Sequence, residues 1–167
     1  MNQQEFNIKS FHLYLSIFAL ITLMNCQQQQ GTLTEIEKAA IQQEVKDQFD
    51  QLLSACEQMN AEAWSEFYSK EEFLSAIGGT LYLTSRTAWV DSITNFFSLR
   101  ESQRMEPIEV NVTPIAPNLA LMTSQEILTM LPKNGEQIDW NHVFTMLWKK
   151  EQGGWKILHS HESWSDR

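Results

Sequence analysis

The chain has 167 residues, 43% hydrophobic and 20% charged. That bounds it to about one globular domain and excludes a disordered or fibrous chain. Lys and Arg number 12 against 21 Asp and Glu, a net charge of −9; phosphate backbones need a basic face, so no nucleic-acid partner is expected. Two cysteines, Cys26 and Cys56, lie far apart in sequence and exclude a disulfide scaffold and a thiolate zinc site.

Residues 11–24 are apolar apart from His12, Ser16 and Thr22. The run is too short for a membrane-spanning helix, which needs about 20 residues, and fits the hydrophobic region of a signal peptide. It ends in Leu23-Met24-Asn25-Cys26, followed by Gln27 to Gln30. This resembles a bacterial lipoprotein signal, in which the Cys becomes the lipidated first residue. Asn25 departs from the small residue usual before that Cys, and an ordinary secretory signal is the alternative. The resemblance implies a signal peptide over 1–25, a lipidated Cys26 with a polar tether over 26–33, and a body over 34–167. It also implies an exported protein, lipid-anchored to a bacterial membrane in the periplasm or at the cell surface. Acyl chains contribute burial free energy for each methylene, which makes such an anchor stable. The acidic body has no electrostatic reason to lie on an anionic membrane. Cys56 is left as a thiol in an apolar helical stripe, without the cationic neighbours a reactive thiolate needs.

Thr34 to Glu37 reads Thr-Glu-Ile-Glu, a capping box that opens a helix. Ile41, Val45, Phe49, Leu52, Leu53, Cys56 and Met59 follow at three- and four-residue steps, one apolar stripe ending near Asn60. Asn60 caps a second, short helix with Trp64, Phe67 and Tyr68 inward. Phe73 to Leu83 is interrupted at Gly78-Gly79 and reads as a short strand or an irregular segment. Ser85 caps a third helix carrying Trp89, Ile93, Phe96 and Phe97. The pattern then changes period. Ile108, Val110 and Val112 alternate with polar residues, Pro114 and Pro117 mark a turn, and Leu119 to Leu131 is a second strand. Pro132-Lys133-Asn134-Gly135 is a turn signal, after which Ile138–Lys149 and Trp155–Trp164 read as two more strands. Helices first and long strands after is the α+β pattern, with the helices gathered on one face of a mostly antiparallel sheet.

Three helices and a four-strand meander, with Trp148, a Gly-containing turn, Trp155 and the His159-Ser160-His161-Glu162-Ser163 ending, resemble the nuclear transport factor 2-like superfamily. Within it the likeness is to SnoaL-like proteins and to the calcium/calmodulin-dependent protein kinase II association domain, over residues 34–165. The resemblance implies a cone-shaped fold of about three N-terminal helices on a strongly curved sheet. It also implies an apolar pocket open at one end and a homodimer formed through the sheet. It does not imply one activity, because members include isomerases, dehydratases, cyclases, epoxide hydrolases and oligomerisation domains. No catalytic set of the family carries over. Steroid-isomerase-like members use a Tyr on the first helix, and none lies between Thr34 and Met59. Epoxide-hydrolase-like members use an Asp-Arg-Asp set, and none of Arg86, Arg100, Arg104 and Arg167 falls on the last two strands.

Alternate side chains of a strand share a face, so Trp155, Ile157, His159, His161 and Ser163 are expected together. Pairing Trp148 with Trp155 sets Met146 opposite Ile157, Phe144 opposite His159 and His142 opposite His161; a slip of one residue would scatter the set. The expected pocket wall is His142, Phe144, Met146, Ile157, His159 and His161, with Tyr82 and Trp89 from the helix side. Three readings of the histidines stand open: structural hydrogen bonding, ligand recognition or acid–base chemistry by His159 or His161, and a metal held by three imidazoles. No carboxylate is evidently placed to orient a metal-bound imidazole, so neither metal nor cofactor is expected. Asp91, Glu126 and Asp139 are expected on solvated faces. The expected function is a membrane-anchored domain whose pocket binds a small apolar molecule without established catalysis. The alternatives are an isomerase, dehydratase or hydrolase using the pocket histidines, and a dimerisation module presenting Leu128, Met130, Val143 and Leu147 on the outer sheet face.

Overall fold

The computed structural model describes residues 32–167; the expected signal peptide, Cys26 and most of the expected tether lie outside them. Thr34 opens helix α1 (Glu35–Glu57): its Oγ1 accepts the Glu37 amide at 3.3 Å, and the Glu37 carboxylate accepts the Thr34 amide at 2.8 Å. Each bond satisfies an amide that the first helical turn leaves free. The stripe from Ile41 to Cys56 is the buried face of α1. Met59, at φ 52°, turns the chain, and Asn60 caps α2 (Ala61–Ser65) by accepting the Ala63 amide at 3.0 Å. A short hairpin follows, β1 (Ser75–Gly78) and β2 (Leu81–Leu83), where the sequence pattern left strand or irregular chain open. Helix α3 spans Arg86–Ser98, and Arg86 ties it to α2 by donating to the Ser65 carbonyl at 2.7 Å.

Four long strands complete the chain: β3 (Arg100–Ala116), β4 (Leu119–Pro132), β5 (Ile138–Glu151) and β6 (Gly154–Asp166). The sheet order is β2-β1-β6-β5-β4-β3, antiparallel throughout except for the parallel β1–β6 pair. The result is an α+β fold, helices on one face of an open, mixed sheet. Strand β3 begins well before Ile108. Its register shifts at Pro107/Glu109 and Pro114/Ala116, because a proline has no amide to give the ladder. The core between helices and sheet centres on Val45, Phe49, Leu52, Trp89, Met122, Met146, Trp148 and Ile157. Glu44 of α1 anchors the β5–β6 hairpin from outside, accepting Lys150 Nζ and Trp155 Nε1 at 2.7 Å each.

The β5–β6 register differs from the expected one. Glu151 pairs with Gly154 across a tight turn, Lys150 with Trp155, and Trp148 with Ile157. Leu158 is then an extra residue on β6, so Leu147 pairs with His159, Thr145 with His161, Phe144 with Glu162 and His142 with Trp164. A bulge of one residue reverses which side chains face the core. Trp155 and Ile157 point inward before it; Ser160, Glu162 and Trp164 do so after it. The bulge sits where β6 changes neighbours on its other edge. The Ser69 amide donates to the Ile157 carbonyl at 2.9 Å, and the Leu74 amide donates to the Leu158 carbonyl at 2.7 Å.

Candidate functional site

His142 lies near the start of β5 with only 1% of its surface exposed. Its two ring nitrogens meet two carboxylates: Nδ1 lies 2.8 Å from Glu126 Oε2 on β4, and Nε2 lies 3.0 Å from Glu162 Oε2 on β6. The β4–β5 register brings Glu126 directly opposite His142. Ser124 Oγ donates to the other oxygen of Glu126, which is fully buried. A carboxylate out of water persists only with such partners. Both ring nitrogens face acceptors, so the ring serves as donor at each, the behaviour of an imidazolium. Burial works against that charge. The hydrogen bonds and negative charges of Glu126 and Glu162 outweigh it and lift the His142 pKa from 6.5 to about 9. Near neutral pH His142 is a cation held between two carboxyl groups.

His142 and Glu162 of this triad form part of the wall of a cavity of about 110 Å³. Leu52, Leu53 and Cys56 of α1 line it, with Trp64 of α2 and Ile93, Phe96 and Phe97 of α3. The sheet contributes Arg100, Met105, Leu128, Trp140, His142, Phe144, Glu162 and Trp164. The Trp164 ring stacks over the His142 ring at 6.4 Å and 12°, and over Trp140 at 6.2 Å and 28°. Phe144 meets His142 edge-on at 4.4 Å. Trp164 is 40% exposed, and Phe96, Arg100 and Trp140 are half-buried, which marks the mouth. The Arg100 guanidinium lies 5.6 Å from the Phe96 ring centre and donates to buried Gln103. Gln103 in turn donates to the Cys56 carbonyl at 2.6 Å. Burial, with the nearby Glu162 charge, pushes the Cys56 thiol up to about 12, and its Sγ lies 3.4 Å from Met105 Sδ. This is a packed thiol and a poor nucleophile.

Of the residues expected in the wall, the structure brings His142 and Phe144 to the cavity. Met146 and Ile157 share their face but are fully buried core residues that do not line it. Trp89 packs against Trp64 at 5.2 Å and Tyr68 at 5.9 Å, also within the core. Tyr82 is 68% exposed on β2. His159 and His161 lie on the opposite sheet face, because the Leu158 bulge reverses β6: His159 Nδ1 is 2.8 Å from Ser75 Oγ of neighbouring β1, and His161 is exposed. The three imidazoles therefore never meet. Leu128 and Met130 point inward, opposite to Val143. Glu126, Glu162, Arg100, Trp140 and Trp164 were missed as a set. Glu126 had a legible signal, since it shares its strand parity with Ala120, Met122, Ser124 and Leu128. Glu162 had none, because its parity depends on the bulge.

The family model described as SnoaL-like domain matches residues 45–166. The chain belongs to that family, within the nuclear transport factor 2-like superfamily. Solved structures of the same fold include the hexachlorocyclohexane dehydrochlorinase LinA-type3 from Novosphingobium barchaimii LL02, at 10% identity and a TM-score of 0.67 over 79% of this chain and 91% of that one. A nuclear transport factor 2-like superfamily protein from Salmonella enterica serovar Typhimurium is similar at 14% identity and a TM-score of 0.68, over 77% and 92%. A Xanthomonas campestris protein assigned as a calcium/calmodulin-dependent protein kinase II association domain is similar at 20% identity and a TM-score of 0.64, over 72% and 84%. These likenesses establish the cone-shaped fold alone. No curated protein matches the sequence significantly.

Proposed function

We propose that the cavity binds a small, mostly apolar molecule of about single-ring size, and that the domain is carried on a lipid anchor at a bacterial membrane. The observation behind the binding reading is the cavity itself. It has aromatic and aliphatic walls, one ionic cluster and a half-exposed aromatic mouth, the usual make-up of a ligand pocket. A dry core cavity of roughly 150 Å³ takes up benzene, so about 110 Å³ opening at its mouth suits one ring. The anchor reading rests on Cys26 and the apolar run before it. Exposed Leu121 and Val143 with half-buried Leu147 on the outer sheet face support a homodimer. Sedimentation of Val143→Lys as a monomer would support that assembly, and an unchanged mass would remove it.

The second reading is a proton-transfer enzyme of the isomerase, dehydratase or hydrolase class. It is favoured by Glu162, a cavity carboxylate whose second oxygen is not engaged by His142. In this reading Glu162 is the base, and His142, already protonated, positions it. The test of the leading reading is titration of the whole protein with toluene. Saturable binding is expected, together with its loss in Leu128→Trp, which fills the space. Toluene uptake unchanged by Leu128→Trp would remove this cavity as the site.

A further inference from the structure

The β1–β2 turn approaches the cavity wall so closely that a side chain added there would displace the residues of the wall. A Cβ added at Gly78 would lie 2.8 Å from Glu162 Oε1 and 3.1 Å from its Cγ. Gly78 and Glu162 are partners across the parallel β1–β6 pair, so the Glu162 side chain lies over bare backbone. Gly79, at φ +56°, repeats the arrangement: its Cβ would fall 3.0 Å from Trp164 Cζ2. The two glycines seat the two cavity residues that β6 contributes.

The polar groups around the cavity are unevenly committed. Both ring nitrogens of His142 face carboxylates, and the Cys56 thiol lies against Met105. Arg100 gives an N–H to Gln103. Glu162 holds His142 with Oε2, while its Oε1 takes no hydrogen bond among the described residues. An apolar guest would strip water from that oxygen and give nothing back. A guest with an O–H would replace the lost water with a charge-assisted bond.

We propose that Gly78 and Glu162 together make the cavity selective for a neutral, single-ring hydroxyl compound over an apolar molecule of the same size. This rests on the small-molecule reading above. Gly78 acts as a positioning residue, because a methyl group there would displace the carboxylate that reads the donor.

The experiment is calorimetric titration of the whole protein with phenol and with toluene, with near-ultraviolet circular dichroism as the check on folding. Wild type is expected to prefer phenol by about tenfold or more, the effect of one hydrogen bond to a charged group. Glu162→Gln and Gly78→Ala are each expected to bring the ratio close to one. Gly78→Ala combined with Glu162→Asp, whose shorter side chain frees the space that the methyl takes, is expected to restore much of it; a merely structural role for Gly78 would not give that rescue. Equal affinities in wild type, or a preference that survives Glu162→Gln, overturn the inference while leaving the cavity reading standing. Failure of both probes to bind overturns the two together. If Gly78→Ala does not fold, Glu162→Gln decides.

Discussion

His142 and His161 sit on adjacent strands of one sheet, carry the same side chain, and have opposite fates. His142 is enclosed, held at both ring nitrogens by Glu126 and Glu162. His161 stands exposed on the far face, with Thr145 as its cross-strand partner. Without the extra residue at Leu158 the Trp148–Ile157 register would run on, and His161 would fall opposite Phe144, on the same face as His142. A histidine's function is therefore set by strand parity before it is set by chemistry, and parity is fixed by hydrogen bonds several residues away. The comparison is open to direct attack, beginning with the inner ring.

Replacing His142 with Ala removes the one cation between two carboxylates, of which Glu126 has no access to water. Leaving a buried charge unpaired costs roughly 3–5 kcal/mol. A loss of that order in unfolding free energy is expected by urea titration. A loss below about 1 kcal/mol would show that the buried carboxylate finds its partner elsewhere.

The pH dependence follows from the same triad. The folded-state pKa of His142 is raised to about 9 against 6.5 for an ordinary histidine. Between those values the folded protein binds a proton that the unfolded chain does not, so stability falls as pH rises. The contribution is fully present below about pH 6.5 and lost as pH passes through about 9. Unfolding free energies in steps from pH 6 to 10 should decline over that window. In His142→Leu, which cannot be charged, this component of the decline should disappear. An identical decline in that variant would assign the pH dependence to other groups.

What the sequence made legible is local. Thr34 and Glu37 are three residues apart and cap each other; the stripe from Ile41 to Cys56 needs only the helical repeat; the four long strands announce themselves by alternation and by turn residues. What stayed hidden is relational. The β1–β2 hairpin is short and holds two glycines, and its stabilising partner, β6, lies some 80 residues along the chain (Ser75 pairs with His159). The β5–β6 register depends on a tight turn at Gln152-Gly153 and on the bulge at Leu158, neither of which leaves a pattern in one strand alone. Glu126 is the instructive intermediate. Its parity placed it with buried Met122 and Leu128, but a lone carboxylate in a strand is more often solvated, and only the position of His142 on the neighbouring strand explains its burial.

A smaller effect is expected at Gly79, where the chain is at φ +56° and a Cβ would press on Trp164. Ala at such a backbone position costs roughly 1 kcal/mol or more. The displaced indole should also change the near-ultraviolet circular dichroism of the Trp140–Trp164 pair. Native-like dichroism with an unchanged melting temperature would show that the turn relaxes without moving the cavity mouth.

The smallest effect belongs to the outer ring. His161 has an exposed side chain on a sheet face that does not line the cavity. Exposed substitutions away from caps, cores and buried networks fall within about 0.5 kcal/mol. His161→Ala should therefore leave both stability and toluene affinity close to wild type, whereas His142→Ala should alter both. His161→Ala is the sharpest test of the register because the alternative pairing predicts the reverse. If Trp148 faced Trp155, His161 would stand opposite His142 in the pocket wall, and its loss would weaken binding. A loss of toluene affinity in His161→Ala at unchanged stability would place β6 in that other register and remove the bulge at Leu158 from the account.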